Sequence, residues 1–492
     1  MSEEGATGLE QLMAGRIEHY RRLQEAGLPT RFDRTHLAAE LHDAYGSLEA
    51  GTTTQDQATV AGRVMLRRSF GKLLFLTLED VSGSIQLFID RREMGAAEFE
   101  SAEEIDVGDW VGASGTVMTT RKGELSVRPG QVRILQKSLR PLPDKWHGLT
   151  DVEARSRRRY LDLIANPESR KVALARSRVV SELRRQFEAR GYVEVETPVL
   201  LPQATGAAAR PFRTHHHALD QDMYLRIATE LYLKRLVIGG LEKVFEIGRI
   251  FRNEGVDATH NPEFTMLESY EALADFNDIM ELVEDVIAAV ARETLGTTNV
   301  IYQGREVDLT PPYRRMTLLE VVSKAVGEEV TFDHPDLAGL AGRHGVTVEQ
   351  GWGPGKIIFE LFEELGESTI WEPTFVTHYP TEVSPLAARN RDDPRVTDRF
   401  ELLIAGSEYA NAFTELNDPL DQRERFEEQA AAREAGDEEA HPVDEDFITA
   451  LEYGMPPTGG LGIGVDRLVM LLTDRAHIRE VILFPTLRRE TW

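Results

Sequence analysis

From Phe245 to Glu268 the chain reads FEIGRIFRNEGVDATHNPEFTMLE, which sets Arg252, Glu254, His260, Asn261 and Phe264 within thirteen residues. Phe245, Ile247, Ile250 and Phe251 give an apolar entry, and a polar tip at Gly255–Asp257 separates the halves. The pattern predicts two strands joined by a loop. Such a hairpin can aim a guanidinium, a carboxylate, an imidazole and an aromatic ring into one cleft. That set suits a nucleotide attacked at its α-phosphate. Arginine offers a planar fork to phosphate oxygens, glutamate accepts from an amine, and phenylalanine stacks on a base. A surface hairpin with unrelated charges would carry the same letters, so the rest of the chain has to decide.

Three further segments bear on that choice. GGLGIGVDRLVMLLT, from Gly459, reads as a glycine-rich turn before an apolar helix, with Arg467 where the helix begins. Glycines there let backbone approach a ligand, and a second arginine suggests a triphosphate gripped from two sides. RFELLIAGSEYANAFTELND, from Arg399, predicts a hairpin with a turn at Gly406-Ser407, flanked by Glu401 and Glu408. Asn411 and Glu415 share one face of its return strand. Carboxylates converging on phosphates repel them unless a hard cation intervenes, and oxygen ligands with retained waters fit Mg²⁺. A helix over this segment would also put Glu401, Glu408 and Glu415 on one face. The third segment is RSRVVSELRRQFEARG followed by YVEVETPVL. It predicts a helix through Val179, Val180, Leu183 and Phe187, a cap at Gly191, and a strand ending at Pro198.

The elements that position these groups follow from length and pattern. At 492 residues the chain exceeds one ordinary core. It contains no cysteine, which excludes disulfides and thiolate chemistry. No run of about 18 apolar residues exists, so no membrane partner is expected. The N-terminal MSEEGATGLEQLMAG lacks a signal pattern, and a cytoplasmic location is expected. A net charge of −27 argues against nonspecific coating of nucleic acid. A nucleic-acid partner must then meet local basic groups such as Arg67, Arg68 and Lys72.

Residues 1–56 read as a helical extension broken at Pro29, and 57–140 as five short strands forming an OB-fold barrel. Residues 141–160, opening with PLPDKW, read as a linker, and 161–492 as an α+β domain. The acidic stretch around Arg423–Glu445 reads as a solvated helix plus loop. A GxxxxGK[ST] loop is missing, which excludes a P-loop enzyme, and so are the HIGH and KMSKS patterns of the other synthetase class.

The order strand-Pro, FRNEG…H…F, then GxGxDR resembles the three signature motifs of class II aminoacyl-tRNA synthetases. The barrel resembles that of the aspartyl, asparaginyl and lysyl subgroup. ATGAAARPFRTHHHALDQDMYLRIATELYLKRLVIGG and NAFTELNDP are similar to lysyl-tRNA synthetases, over about Gln57 to the C-terminus. The resemblance implies a catalytic domain built on an antiparallel sheet flanked by helices. It implies ATP, L-lysine and tRNA(Lys) as substrates, Mg²⁺ as cofactor, and a homodimer formed through the Arg176–Pro198 region.

Residue by residue, the resemblance implies that Arg252 holds the α-phosphate and the lysine carboxylate, and that Arg467 grips the γ-phosphate. Asn253, Glu254, His260, Asn261, Phe264, Glu408, Tyr409, Gly464 and Asp466 match the ATP site, with Phe264 stacking on adenine. Glu401 and Glu408 match metal ligands. Gly206 and Glu268 match the surroundings of the α-amine, and Glu230, Tyr270, Asn411 and Glu415 match the pocket for the side-chain ammonium. Arg63, Phe75, Gln86 and Glu124 match anticodon contacts. The types are physically apt, because a buried ammonium needs carboxylates and aspartate would meet repulsion there. A synthetase for aspartate or asparagine is the alternative enzyme. A protein-lysylating or binding-only relative is the alternative of another class, against which stand the barrel, Arg252 and Arg467.

Overall fold

A computed structural model of the chain describes residues 3–143, 149, 151–203, 206, 209–434 and 443–488. It divides into two compact units, 1–149 and 150–492. Among the described residues no helix is long and apolar enough to cross a membrane.

The first unit begins with helices α1 (Glu3–Ala26) and α2 (Ala38–Tyr45), with Pro29 in the non-helical stretch between them. Five strands follow: β1 (Thr53–Phe70), β2 (Leu73–Glu79), β3 (Ser84–Asp90), β4 (Trp110–Thr119) and β5 (Leu125–Gln136). They close in the order β1-β2-β3-β5-β4. The two-residue period does this: in β2, Leu74, Leu76 and Leu78 are buried, while Leu73, Phe75 and Thr77 alternate outward and are only partly covered. The helical extension shares the barrel's core through Ala38 and Leu41. Lys137 and Asp109, both fully buried, pair at 2.9 Å between the end of β5 and the start of β4.

The second unit starts inside the segment read as a linker. Residues Asp144–Gly148 and Thr150 lie outside the described residues, but Val152–Arg157 and Arg159–Ala165 are helical. Asp162 accepts hydrogen bonds from Arg155 and Arg159, which ties the two helices together. Helix α3 (Pro167–Ala189) takes Pro167 at its first turn and buries Val172, Val179, Leu183 and Phe187. Gly191, at φ +83°, turns the chain back so that Phe187 stacks on Phe245 with centroids 5.2 Å apart.

Eight strands form the main sheet: β6 (Val193–Glu194), β7 (Lys243–Phe251), β8 (Glu263–Ala272), β9 (Arg314–Thr317), β10 (Thr374–Thr377), β11 (Arg399–Ile404), β12 (Ser407–Thr414) and β13 (Thr458–Gly464). Their order is β9-β10-β11-β12-β13-β8-β7-β6. The inner six run antiparallel, whereas β6 joins β7 and β9 joins β10 in parallel. Helices α4 (Glu230–Ile238), α5 (Phe276–Leu295) and α6 (Val465–Leu472) flank it. Apolar residues of α3, α5 and α6 fill one core with Phe375, Phe400, Leu402 and Ile463 of the sheet. Residues 318–362 hold a separate helical core around Val322, Leu340, Leu361 and Phe362, which periodicity had not singled out.

Three expectations are corrected. YVEVETPVL, expected as one strand to Pro198, joins the main sheet only at Val193–Glu194, and its Leu200 belongs to a separate short strand, Leu200–Leu201, paired with Leu225 and Tyr224. Past Val195 the chain leaves the sheet because Glu246 accepts from Thr197 N and Oγ1. The glycine-rich stretch is a central strand, β13, not a turn. Its glycines present no side chains, so no period of two can be seen in them. The turn of the β11–β12 hairpin lies at Ala405-Gly406, both at positive φ (51° and 72°), one residue earlier than expected. The acidic stretch is helical over Pro419–Glu434 and Glu445–Glu452, with 435–442 outside the described residues.

Candidate active site

The open face of the sheet carries a cleft of about 1500 Å³. It is walled by the β7–β8 hairpin, the β11–β12 hairpin, the glycines of β13 and the start of α6. Gly206, Glu230, Arg252, Glu254, His260, Asn261, Phe264, Glu268, Tyr270, Glu401, Glu408, Tyr409, Asn411, Glu415, Gly464, Asp466 and Arg467 all line it. Residues spread over more than 250 positions thus converge on one concavity.

Arg252 follows the last residue of β7, where its N–H donates to Pro262 O and closes the loop. Its guanidinium lies 5.2 Å from the Phe264 ring, and Nε is buried without a hydrogen bond. Arg467, at the start of α6, donates from Nη1 to Glu408 O (2.7 Å), and its Nη2 stands 3.4 Å from His260 Nε2. His260 Nδ1 lies 2.8 Å from Asp257 Oδ2. Burial raises the Asp257 carboxyl, but hydrogen bonds from His260 and from the Thr259 and His260 N–H groups outweigh it and hold it at about 2.

Two residues matched to the nucleotide site are committed to structure. Asp466 accepts from Arg176 (2.5 Å) and from Thr265 N (2.6 Å), which pins the start of α6 to α3 and β8. Asn261 donates to Glu263 O and accepts from Thr486 N. Asn253 is exposed outside the cleft wall, its N–H donating to Arg210 O.

The register of the second hairpin explains how Glu401 and Glu408 meet. Glu401 faces Asn411, and a shift between Leu402 and Leu403 then puts Glu408 opposite Leu403. That extra residue on β12 brings Glu408 to the face of Glu401, which a regular ladder would forbid. Burial, and then Glu408, push the Glu401 carboxyl up to about 7. Arg399 opposes this, donating from Nη2 to Glu401 (2.7 Å) and from Nε to Asn411 (3.1 Å). Among the described residues no group of three or more His, Asp or Glu forms a metal cage. Two neighbouring carboxylates at the cleft wall fit a cation completed by substrate phosphates and water instead.

Behind this pair the cleft deepens into an acidic hole. Glu230, Glu268 and Glu415 are all buried, with Tyr270 between them. Glu268 accepts from Thr229 N, and burial, then Glu230, raise its carboxyl to about 7. Burial also raises Glu230 and Glu415. Lys234 is fully buried and pairs with both, at 2.5 Å from Glu230 Oε1 and in close contact with Glu415 Oε2. Its ammonium is held above its usual range by those two carboxylates, against desolvation. Gly460 belongs to the floor, since a Cβ there would collide with Glu415 Oε1 and Tyr270 Cε1. Gly206, at φ +97°, is the one described residue of the 204–208 segment.

Sequence reasoning missed Lys234, Asp257, Arg399 and the Arg226–Glu246 pair (2.5 Å), which braces the base of β7. Of these, only Asp257 had a local signal, three residues before His260.

On the barrel, Phe75 packs edge-on against Phe88 (5.3 Å) with Arg68 over its ring (5.9 Å). Gln86 accepts from Arg68 and donates to Ser126. Glu124 is exposed at the turn before β5, next to that cluster in sequence. Arg63 is not part of the cluster: it donates to Gly108 O and lies over Trp110.

Residues 151–488 match the model of class II tRNA synthetases (D, K and N), and residues 58–135 match the OB-fold nucleic acid binding domain. The chain is 53% identical to the lysine–tRNA ligase of Enterococcus faecalis over 99% of its length and 100% of that protein's. It is 52% identical to that of Thermosynechococcus vestitus, over 100% and 99% respectively. It is also 52% identical to that of Bacillus subtilis, over 93% of each chain. A cleft lined by two arginines and three buried glutamates, a five-stranded barrel and these likenesses agree: the chain belongs to the lysine–tRNA ligase family of class II aminoacyl-tRNA synthetases.

Proposed function

We propose that this chain joins L-lysine to tRNA(Lys) in two steps, with the cleft residues in the roles given below. The observation that carries the reading is the burial of Glu230 and Glu415 at the floor of the cleft that Arg252 and Arg467 wall. The ε-ammonium of lysine goes to Glu230 and Glu415, with Tyr270 and Asn411 fixing its direction, and the α-ammonium goes to Glu268. Arg252 holds the lysine carboxylate against the α-phosphate of ATP, Phe264 stacks on adenine, and Arg467 with His260 holds the distal phosphates.

In the first step a carboxylate oxygen of lysine attacks the α-phosphorus in line, forming lysyl-adenylate and releasing diphosphate. No protein nucleophile is required. Arg252 offsets negative charge growing on the phosphoryl oxygens, so positioning and electrostatics supply the acceleration. Glu401 and Glu408 would hold Mg²⁺, which when bound neutralises phosphate charge and orients the leaving diphosphate. In the second step a terminal ribose hydroxyl of tRNA attacks the adenylate carbonyl and AMP leaves. Phe75, Gln86, Glu124 and Arg63 belong to the proposal as anticodon contacts, where unstacked bases meet an aromatic ring and hydrogen-bonding groups.

A cytoplasmic homodimer completes the proposal. The short edge strand β6 and the half-exposed Val193 give the 176–198 region apolar surface for a second copy, which Val199 and Leu200 extend just beyond it. Exchange of ATP with pyrophosphate that depends on lysine, followed by charging of purified tRNA(Lys), tests the function. Exchange driven by aspartate or asparagine and not by lysine would reject it.

A further inference from the structure

We propose that Lys234 is a positioning residue for lysine selection. Its ammonium is a permanent countercharge behind Glu230 and Glu415, leaving that acidic triad with one net negative charge for one substrate ammonium. The proposal rests on the assignment of Glu230 and Glu415 to the side-chain pocket and adds what sets that pocket's charge.

The geometry places Lys234 beneath the floor and outside the cavity. Glu230, Glu415 and Tyr270 line the cleft and Lys234 does not. Its side chain has no exposed surface. It touches Glu230 one turn earlier on α4 and Glu415 beyond β12, and it is ringed by Tyr270, Phe413 and Phe447 with centroids 5.6–6.0 Å away. The ammonium therefore cannot swing into the cleft without leaving an aromatic cage. It meets one oxygen of each carboxylate, Glu230 Oε1 and Glu415 Oε2, and both glutamates line the cavity.

Charge counting shows the consequence. Glu268 faces the pocket from β8, and Arg399 acts on Glu230 from β11 while it pairs with Glu401. On the far side of Phe447, Arg235 is paired with Asp444 and Asp446. Among the described residues only Lys234 pairs with both floor carboxylates. Without it, two buried carboxylates would share one site and retain a proton between them. Lysine would then have to displace that proton or bind beside it. With Lys234 in place the countercharge is covalently fixed and opposes the rise that burial imposes on both floor carboxyls, so fewer protons have to leave when substrate arrives.

Titration calorimetry of the full chain with L-lysine, across about pH 6 to 9 in buffers of different ionisation heat, counts protons exchanged on binding. The wild type sets the baseline, including any proton on Glu268. In Lys234→Met we expect affinity to fall by about tenfold or more near pH 6.5, the loss to shrink toward pH 8.5, and proton release to rise by about one. Lys234→Met with Glu230→Gln leaves Glu415 as the one floor carboxylate, with Glu268 as in the wild type, and should return proton release to the baseline.

Wild-type affinity in Lys234→Met, or one constant loss factor at every pH, overturns the proposal. If the single variant does not fold, the charge-balanced double variant decides: folding with baseline proton release supports it, and failure to fold overturns it. Glu415→Gln separates the two layers. Unchanged lysine affinity there removes the pocket assignment itself, whereas a loss there beside a pH-independent Lys234→Met defeats only the role of Lys234.

Discussion

Asp257 clamps His260 across one tight loop, with Oδ2 2.8 Å from Nδ1 and Oδ1 accepting the His260 N–H at 2.7 Å. The imidazole is thereby fixed with Nε2 toward Arg467, so the loop's conformation and the far wall of the nucleotide site are set by one carboxylate. Asp257→Asn should weaken the clamp and raise the KM for ATP by about tenfold, a cost in the range of one charge-assisted hydrogen bond, while the KM for lysine stays unchanged. Because the folded-state carboxyl sits at about 2, below its ordinary value, the clamp is intact above about pH 4 and is lost only as pH falls through 2. ATP affinity in the wild type should accordingly show no loss from this group across any ordinary assay range. Equal shifts in both Michaelis constants would refute the local role.

In the proposed reaction Arg252 acts at the reacting phosphate. Arg252→Ala should slow lysine-dependent pyrophosphate exchange by at least about 10²–10³, the usual cost of removing one donor to a developing oxyanion. The loss should lie in kcat as well as in KM. A wild-type exchange rate would remove Arg252 from the chemistry.

Glu415 is a test of selectivity. Glu415→Gln keeps shape but removes the charge that the proposed function turns toward the substrate ammonium. It should raise the KM for lysine about 30-fold or more, equivalent to about 2 kcal/mol, and leave the KM for ATP in place. Should the lysine KM stay put, Glu415 does not contact the substrate.

The raised carboxyls give a pH signature. Glu268 and Glu401 are each pushed up to about 7, by burial first and by a neighbouring carboxylate second. Below that value each is increasingly protonated and cannot oppose an ammonium or a metal. Lysine affinity should therefore improve as pH rises toward 7 and level off above it, with a slope of up to about tenfold per unit for Glu268 alone. The Mg²⁺ concentration needed for half-maximal exchange should fall over the same window. The same shift works against the fold, since a carboxyl raised above its unfolded value stabilises least once pH exceeds 7. Flat lysine and Mg²⁺ dependences between pH 6 and 8 would contradict both assignments.

Much of this site was legible because its carriers are local. FRNEG and HNPEF sit at the ends of two apolar strands, and any chain that pairs β7 with β8 places Arg252 near Phe264. What was hidden depends on distance in sequence. Lys234 in ELYLKRL reads as a solvated helical charge; its burial requires Glu415, 181 residues later (415 − 234), to fold over it. The approach of Glu408 to Glu401 needs a register shift that no period reveals. β13 was read as a turn since glycines carry no alternation. Its identity as a strand comes from β8 and β12 on either side. Asp466 and Asn261 lay in the right motifs, yet their side chains hold backbone, which motif position cannot distinguish from ligand contact.

Gly460 joins the sheet to the lysine pocket and can be tested alone. It lies in the middle of β13, paired with Tyr270 on one side and Phe413 on the other. Its backbone is ordinary strand, so alanine meets no dihedral penalty there. The obstacle is steric: a Cβ would fall on Glu415 Oε1 and 2.7 Å from Tyr270 Cε1. Both are side-chain atoms at the floor, so relief comes from moving the carboxylate and the ring, and the sheet hydrogen bonds can persist. Gly460→Ala should keep cooperative unfolding within about 1–3 kcal/mol of wild type, the usual cost of overpacking. It should raise the KM for lysine more than tenfold, because displacing a carboxylate by about 1 Å undoes its alignment with the ammonium. The KM for ATP should hardly move, since the atoms nearest the added methyl belong to Glu415 and Tyr270 and not to Arg252 or Arg467. Lysine binding equal to the wild type in a folded Gly460→Ala protein would mean that the pocket floor lies elsewhere.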